Sequence, residues 1–241
     1  DVIGLGGIIT QYGRIRRIAR VCREALPNAK IVLGGGIGSS MPEFMLQRMP
    51  IDVVVLEEGE VTISEVLARI ERGVDLRGVQ GTVYHDWNND GQTEIVHNGN
   101  RPSLHARAAG LDNLPWPARS RWPVEKVYKR NPVGHLNWQS KWKDGAATDP
   151  NAYSVSMLAS RGCPYAVHAC DYCYASYLGQ QYRLRSPREV VDEMQAVQSE
   201  YGATYIHFLD DLLMTDYRWA LEFFDVLRSR RRSDRFKIEW G

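Results

Sequence analysis

The sequence predicts an α/β protein in two parts, a doubly wound parallel-sheet unit followed by the opening of a second βα series. Three observations predict it. Strand-like apolar runs alternate with helical periodicity over residues 1–75. After a stretch without periodicity, the alternation restarts near residue 153. Three of the four cysteines, Cys163, Cys170 and Cys173, lie between the first strand and the first helix of that second series.

Each element follows from a local pattern. Val2 to Ile9 is an apolar run and reads as the first strand. Ile15, Ile18, Ala19, Val21, Cys22, Ala25 and Leu26 recur at helical spacing, with Cys22 on the apolar face as ordinary core. Ile31 to Leu33 is β-rich and ends in Gly34-Gly35-Gly36, a strand-to-helix turn that lets a ligand approach the backbone. Pro42 starts a helix bearing Phe44, Met45 and Leu46. Asp52 to Leu56 reads as a buried strand, and Val61 to Ile70 as a helix with Ile63, Val66, Leu67 and Ile70 on one face. Val79–His85 and Thr93–His97 flank Asn88-Asn-Asp-Gly91, a hairpin with Asp90-Gly91 as its turn. Residues 99–152 are rich in proline and tryptophan and read as a linker packed on a surface, too aromatic for a free tail. The expected divisions are therefore 1–98, 99–152 and 153–241.

In the second series Ser154 to Ala159 is a strand, and the cysteine loop follows it. Ser186-Pro187 supplies a helix cap and a first-turn proline, Glu189 stands at the capping-box position, and Gly202 stops the helix after Tyr201. Thr204 to Leu209 is the next strand. Thr215 or Asp216 caps a helix carrying Trp219, Leu221, Phe223, Phe224 and Leu227, and Phe236 to Trp240 begins a third strand.

Composition narrows the function classes. With 30 Lys and Arg against 29 Asp and Glu, the balanced charge gives no reason to expect a nucleic-acid or membrane partner. No apolar run approaches the ~18 residues of a membrane-spanning helix, and no signal-peptide pattern opens the chain. Four cysteines, three of them clustered, point to a reducing, cytoplasmic setting and a metal site, not to a disulfide framework. The chain opens at Asp1 directly into a strand and stops just past another. It is therefore read as a segment of a longer protein, expected to be inactive by itself.

The cysteine loop reads Ser160-Arg-Gly-Cys-Pro-Tyr-Ala-Val-His-Ala-Cys-Asp-Tyr-Cys-Tyr174, a Cys-x6-Cys-x2-Cys spacing. Thiolates are soft ligands for iron–sulfur clusters or zinc. Three thiolates on a four-iron cluster leave one iron open for a chelating ligand. The alternative is a structural zinc site with His168 as fourth ligand, in a non-catalytic zinc-stapled or ligand-binding module.

Arg161-Gly-Cys-Pro-Tyr165 followed by Cys170-Asp-Tyr-Cys173 resembles the cluster loop of radical S-adenosylmethionine (SAM) enzymes. The resemblance implies a [4Fe–4S] cluster on Cys163, Cys170 and Cys173, SAM chelated to the open iron, and cleavage of SAM to a 5′-deoxyadenosyl radical. It places Tyr172 beside the SAM adenine. The family's common spacing is Cys-x3-Cys-x2-Cys. The three additional residues here are an insertion that a loop absorbs at small entropic cost. Tyr182 to Glu193 and Ile206-His-Phe-Leu-Asp-Asp211 resemble stretches of cobalamin-dependent members of this family. Asp210 and Asp211, at the C-terminal end of a barrel strand, are candidates for SAM or substrate contacts, with helix capping as their structural alternative. Arg183 and Arg185 are candidates for the SAM carboxylate, with salt bridging as theirs.

The N-terminal part is similar to a Rossmann-like cobalamin-binding domain. Gly6-Gly7-Ile8 and Gly34-Gly35-Gly36 resemble its glycine motifs, with a glycine where the usual motif has serine. Glu57-Glu58-Gly59-Glu60 and Leu111-Asp-Asn-Leu-Pro-Trp-Pro-Ala118 also resemble the family, and Glu58 joins the glycines as a cofactor-edge candidate. The Asp-x-His-x-x-Gly motif of some cobalamin proteins does not occur in this sequence. The resemblance implies the start of a (βα)6 partial barrel behind the cobalamin-binding-type domain, and cobalamin as a further cofactor. It implies C–H functionalisation with methyl transfer as the leading reaction, a small-molecule or peptide substrate, and an electron donor such as flavodoxin or ferredoxin.

Overall fold

The computed structural model describes residues 1–86, 94–103, 110–121, 154–165, 170–171, 173, 182–232, 236 and 238–241. The chain forms two compact units, Asp1–Leu104 and His105–Gly241.

In the first unit β1 (Val2–Gly6), α1 (Tyr12–Ala25), β2 (Lys30–Gly34), α2 (Gly35–Ser40), α3 (Pro42–Arg48), β3 (Val53–Val55) and α4 (Glu60–Glu71) alternate as the periodicity predicts. β1, β2 and β3 are parallel, with Gly6 opposite Gly34 and Leu33 opposite Val54. The hairpin strands β4 (Thr82–His85) and β5 (Ile95–His97) extend the same sheet antiparallel, in the order β1-β2-β3-β4-β5. The Asp90-Gly91 turn lies outside the described residues. Period-2 alternation sorts the strand side chains onto two faces. Ile31, Leu33 and Val54 pack with Ile15, Ala19, Ile37 and Met45 of α1 to α3. Val32, Val53 and Val55 face the other way, onto Val66 of α4 and onto Leu76. Cys22 is half-buried against the first of these clusters.

One local expectation is corrected. Gly34-Gly35-Gly36 is not a turn leading to a helix at Pro42, because α2 begins at Gly35 itself. Glycine has poor helix propensity, so the helix draws on other terms. Ile37 is fully buried, and the Ser39 and Ser40 hydroxyls donate to the Gly35 and Gly36 carbonyls one turn back.

In the second unit β6 (Ser154–Met157), β9 (Tyr205–Phe208) and β10 (Glu239–Trp240) are parallel, in the order β10-β9-β6. The helices α5 (Pro187–Tyr201) and α6 (Tyr217–Arg231) cover one face. Val155, Met157, Ile206 and Phe208 pack there against Val190, Met194, Trp219 and Phe223. The opposite face carries Ser154, Ser156, Tyr205 and His207, which the register places side by side. Two short strands, β7 (Ser160–Arg161) and β8 (Arg183–Leu184), pair antiparallel and close the base of the cysteine loop. Gly202 ends α5 in the left-handed conformation (φ 65°).

The caps refine the sequence reading. Asp216, and not Thr215, caps α6, its carboxylate accepting from the Trp219 N–H at 3.0 Å. Ser186 caps α5 by accepting from the Glu189 N–H at 3.4 Å. Asp112, not Glu189, accepts the Ser186 N–H at 2.9 Å, while the Glu189 carboxylate accepts from the Trp116 indole at 3.2 Å. Part of the region read as linker therefore braces the first turn of α5. Among the described residues, no helix is long and apolar enough to cross a membrane.

Candidate functional site

The C-terminal ends of parallel strands are where open α/β sheets bind ligands. In the first unit that edge carries Gly6-Gly7 at the end of β1, Gly34-Gly35-Gly36 at the end of β2 and Glu57-Glu58 after β3. The glycines there serve two purposes. A Cβ on Gly7 would collide with the Gln11 side chain and come within 2.8 Å of Ile15 Cδ1. Gly35 sits at φ +75°, its Cβ position 3.2–3.3 Å from the backbone of Gly7. The left-handed backbone and the close main chain call for glycine at Gly35, whereas at Gly7 the ends of the Gln11 and Ile15 side chains would have to shift. At Gly6 and Gly34 a side chain would meet only ordinary contacts, at 3.6 and 3.9 Å. Their lack of one leaves bare backbone at the edge, a cradle that side chains would fill, and this fits a flat ligand lying close to the chain. Gly35→Ala is expected to destabilise the unit by about 1–2 kcal/mol, the cost of a left-handed non-glycine residue, read from its denaturant midpoint.

The same edge holds a second network. Ser39 Oγ donates to Gly35 O at 3.2 Å and accepts from the Glu57 N–H at 2.8 Å. Glu57 is a non-glycine residue at φ 51°, and its carboxylate accepts from Asn100 Nδ2 at 3.1 Å. Burial, and then the neighbouring Glu58 carboxylate, raise its pKa above the ordinary 4.5. A carboxyl whose folded-state pKa is raised contributes stability that is complete below pH 4.5 and is lost as pH rises through the raised value. Glu57→Gln keeps the acceptor for Asn100 and removes the charge. It is expected to melt higher than the parent at pH 7, with the advantage vanishing in titrations below pH 4.5.

In the second unit the C-terminal edge carries the cysteine loop. Cys163 and Cys173 are half-buried, Cys170 is exposed, and none is in a disulfide. The Cys173 N–H donates to Cys170 O at 2.9 Å, turning the Cys170–Cys173 segment back on itself. The donor chemistry, three free thiols in one loop, fits a thiolate-held cluster. Among the described residues, no three His, Cys, Asp or Glu side chains are gathered as a metal-binding group. Tyr172 and His168 lie outside the described residues. Leu158, Tyr165, Leu209 and Leu212, all following the ends of β6 and β9 or within the loop, are exposed apolar side chains.

Comparison with known proteins now adds to the geometry. Residues 1–67 match the B12 binding domain family. The whole chain is 25% identical to an uncharacterised methyltransferase of Pyrococcus horikoshii, covering 45% of that protein. Over 95% of its length it is 26% identical to the cytidylyl-2-hydroxyethylphosphonate methyltransferase of Streptomyces wedmorensis, covering 43% of that protein. Its fold superposes, with a TM-score of 0.68 and 19% identity, on the cobalamin-dependent SAM radical enzyme OxsB, covering all of this chain and 30% of that one. Residues 1–67 thus match a B12-binding domain, and the chain as a whole is similar to cobalamin-dependent radical SAM proteins. It spans less than half the length of these curated relatives.

The remaining sequence candidates are placed as follows. Asp210 lies two residues past the end of β9, and its two carboxylate oxygens accept from the Ala159 N–H at 3.1 Å each, with the Ser160 hydroxyl donating to one of them. It ties the ends of β6 and β9 together at the root of the cysteine loop. Asp211 is exposed. Arg183 is buried in β8. Arg185 donates to Leu158 O at 2.9 Å and to Glu193 Oε2 at 2.5 Å, so its guanidinium sits in an ion pair that is buried, not solvated. Sequence reasoning missed Glu193 and Arg119. Glu193 is 1% exposed and also accepts from Arg119 Nη1 at 2.7 Å.

Proposed function

We propose that this chain works as a cobalamin-dependent radical SAM enzyme whose reaction is methyl transfer to an unactivated carbon. The observation that carries this reading is the pairing of two ligand edges in one chain. One is a glycine-lined edge in a B12-binding domain, and the other is three free thiols at the C-terminal edge of a parallel βα sheet. Cys163, Cys170 and Cys173 would hold a [4Fe–4S] cluster, which would supply the electron for reductive cleavage of SAM, and the glycine edge would hold cobalamin, which would supply a methyl carrier. Gly6, Gly7, Gly34, Gly35 and Gly36, with Glu58, are the residues that would hold the cobalamin. By the family resemblance Tyr172 would serve the SAM adenine, and Asp211 would serve SAM or substrate. The exposed Leu158, Tyr165, Leu209 and Leu212 help exclude water from the cluster loop. Asp210 and Arg185, whose polar groups are engaged within the unit, hold the loop root in place.

The substrate is a small molecule or a peptide, the electron donor is a flavodoxin or ferredoxin, and the setting is the reducing cytoplasm that free thiols favour. The test is an anaerobic preparation of the full-length protein supplied with SAM and dithionite. Formation of 5′-deoxyadenosine and retention of cobalamin are expected. Stoichiometric zinc without iron would replace this reading with a zinc-stapled binding module.

A further inference from the structure

Among the described residues β6 is an edge strand of its sheet, with β9 on one side only. Alternate carbonyls of a strand point to opposite sides. Met157 O points to β9 and accepts from the Leu209 N–H at 2.9 Å. Ser156 O and Leu158 O therefore point to the open side. Each is taken by a guanidinium: Arg119 Nη2 donates to Ser156 O at 3.1 Å, and Arg185 Nη1 donates to Leu158 O at 2.9 Å. The two arginines are joined by Glu193, which gives one carboxylate oxygen to each. Their side chains are only 10% and 13% exposed, and that of Glu193 is 1% exposed.

Both arms are anchored. Arg185 is held through its own backbone, its N–H donating to Ala159 O at 2.8 Å and its carbonyl accepting from the Trp219 indole at 2.6 Å. Arg119 sits on the 110–121 segment, which Asp112 and Trp116 fasten to the start of α5.

We propose that Arg119, Glu193 and Arg185 form a positioning clamp that caps the open edge of β6 and sets the direction in which the cysteine loop leaves it. Leu158 O is five residues before Cys163, and Asp210 grips Ala159 and Ser160 from the opposite side. The end of β6 is thus held from both flanks where the loop begins. A fork of fixed geometry can bond a carbonyl and a carboxylate together; a lysine ammonium is a point charge without that fork. The consequence for SAM rests on the cluster reading above, while the consequence for the loop root does not.

The test uses the full-length, anaerobically reconstituted protein with Arg119→Met and Arg119→Lys. Three readouts separate positioning from general stability. They are hydrogen exchange of the amides from Ala159 to Cys163 against those of α6, iron content, and the change in the reduced cluster's EPR signal on adding SAM. Arg119→Met is expected to keep its iron, to exchange faster at the loop root only, and to bind SAM more weakly than the parent. Arg119→Lys is expected to fall between it and the parent. A folded Arg119→Met with parental exchange and a parental SAM response overturns the clamp. If that variant does not fold, Arg119→Lys decides, and behaviour identical to the parent overturns it. A parent protein without iron would sink the proposed function and leave the clamp to be judged by amide exchange alone.

Discussion

Replacing Cys163, Cys170 or Cys173 singly with alanine is expected to abolish SAM cleavage and to strip most of the iron from the anaerobically prepared full-length protein. The parent should carry about four irons per chain. Three thiolates are the fewest that can hold such a cluster while keeping one iron open. Removing one leaves a two-thiolate site in which water or buffer must complete two irons. Cys22→Ala is the control. That thiol is half-buried against Ile15 and Ala19 of its own helix, in the other unit, and its loss should leave iron and 5′-deoxyadenosine formation at parental levels. Metal analysis and product chromatography check both halves. Full iron after removal of Cys163 would exclude it as a ligand, and with it the Cys-x6-Cys-x2-Cys reading.

The alternating architecture was legible because its two periods differ so clearly. Val53-Val54-Val55 and Ile31-Val32-Leu33 are uninterrupted apolar runs, the mark of a strand covered on both faces, and the structure buries all six. α1 shows its stripe just as plainly, with Ile15 and Ala19 inward. What escaped was structure too short or too local to leave a period. The two-residue pairing of β7 with β8 closes the cysteine loop but has no pattern to detect. The helix at Gly35–Ser40 contradicts propensity, and it forms because Ile37 is buried and two serines bond back to carbonyls.

The candidate site was legible in its cysteines and illegible in their supports. Cys163, Cys170 and Cys173 announce themselves by type and spacing. Asp210 stood out in the sequence, but its partners, the Ala159 amide and the Ser160 hydroxyl, are set by strand register across 51 and 50 residues. Glu193 did leave a signal. It lies three residues after Val190, beside Met194 and four before Val197, all fully or almost fully buried on α5. A carboxylate inside an apolar stripe at helical spacing needs a buried partner. Its partners could not be read off, because Arg119 comes from a segment without periodicity and Arg185 precedes the helix.

Glu193→Ala should therefore be among the most destabilising single changes in the second unit, costing about 3–5 kcal/mol. The magnitude comes from what remains, not from the bonds removed. Two guanidiniums, each about nine-tenths buried, would face one another without the carboxylate that neutralises them. Neither can rotate into water without releasing Ser156 O or Leu158 O at the strand edge. Replacing the whole triad, with Arg119→Met, Arg185→Met and Glu193→Leu together, removes the buried charges as well and should recover most of that loss. The two variants thus separate stability from placement, since the apolar triad can pack but cannot hold either carbonyl. Urea unfolding followed by tryptophan fluorescence reads the second unit, because six of the seven tryptophans lie in it and only Trp87 in the first. If Glu193→Ala unfolds at the parental urea concentration, the carboxylate is not balancing buried charge, and the ion triad loses its place in the energetics of the fold.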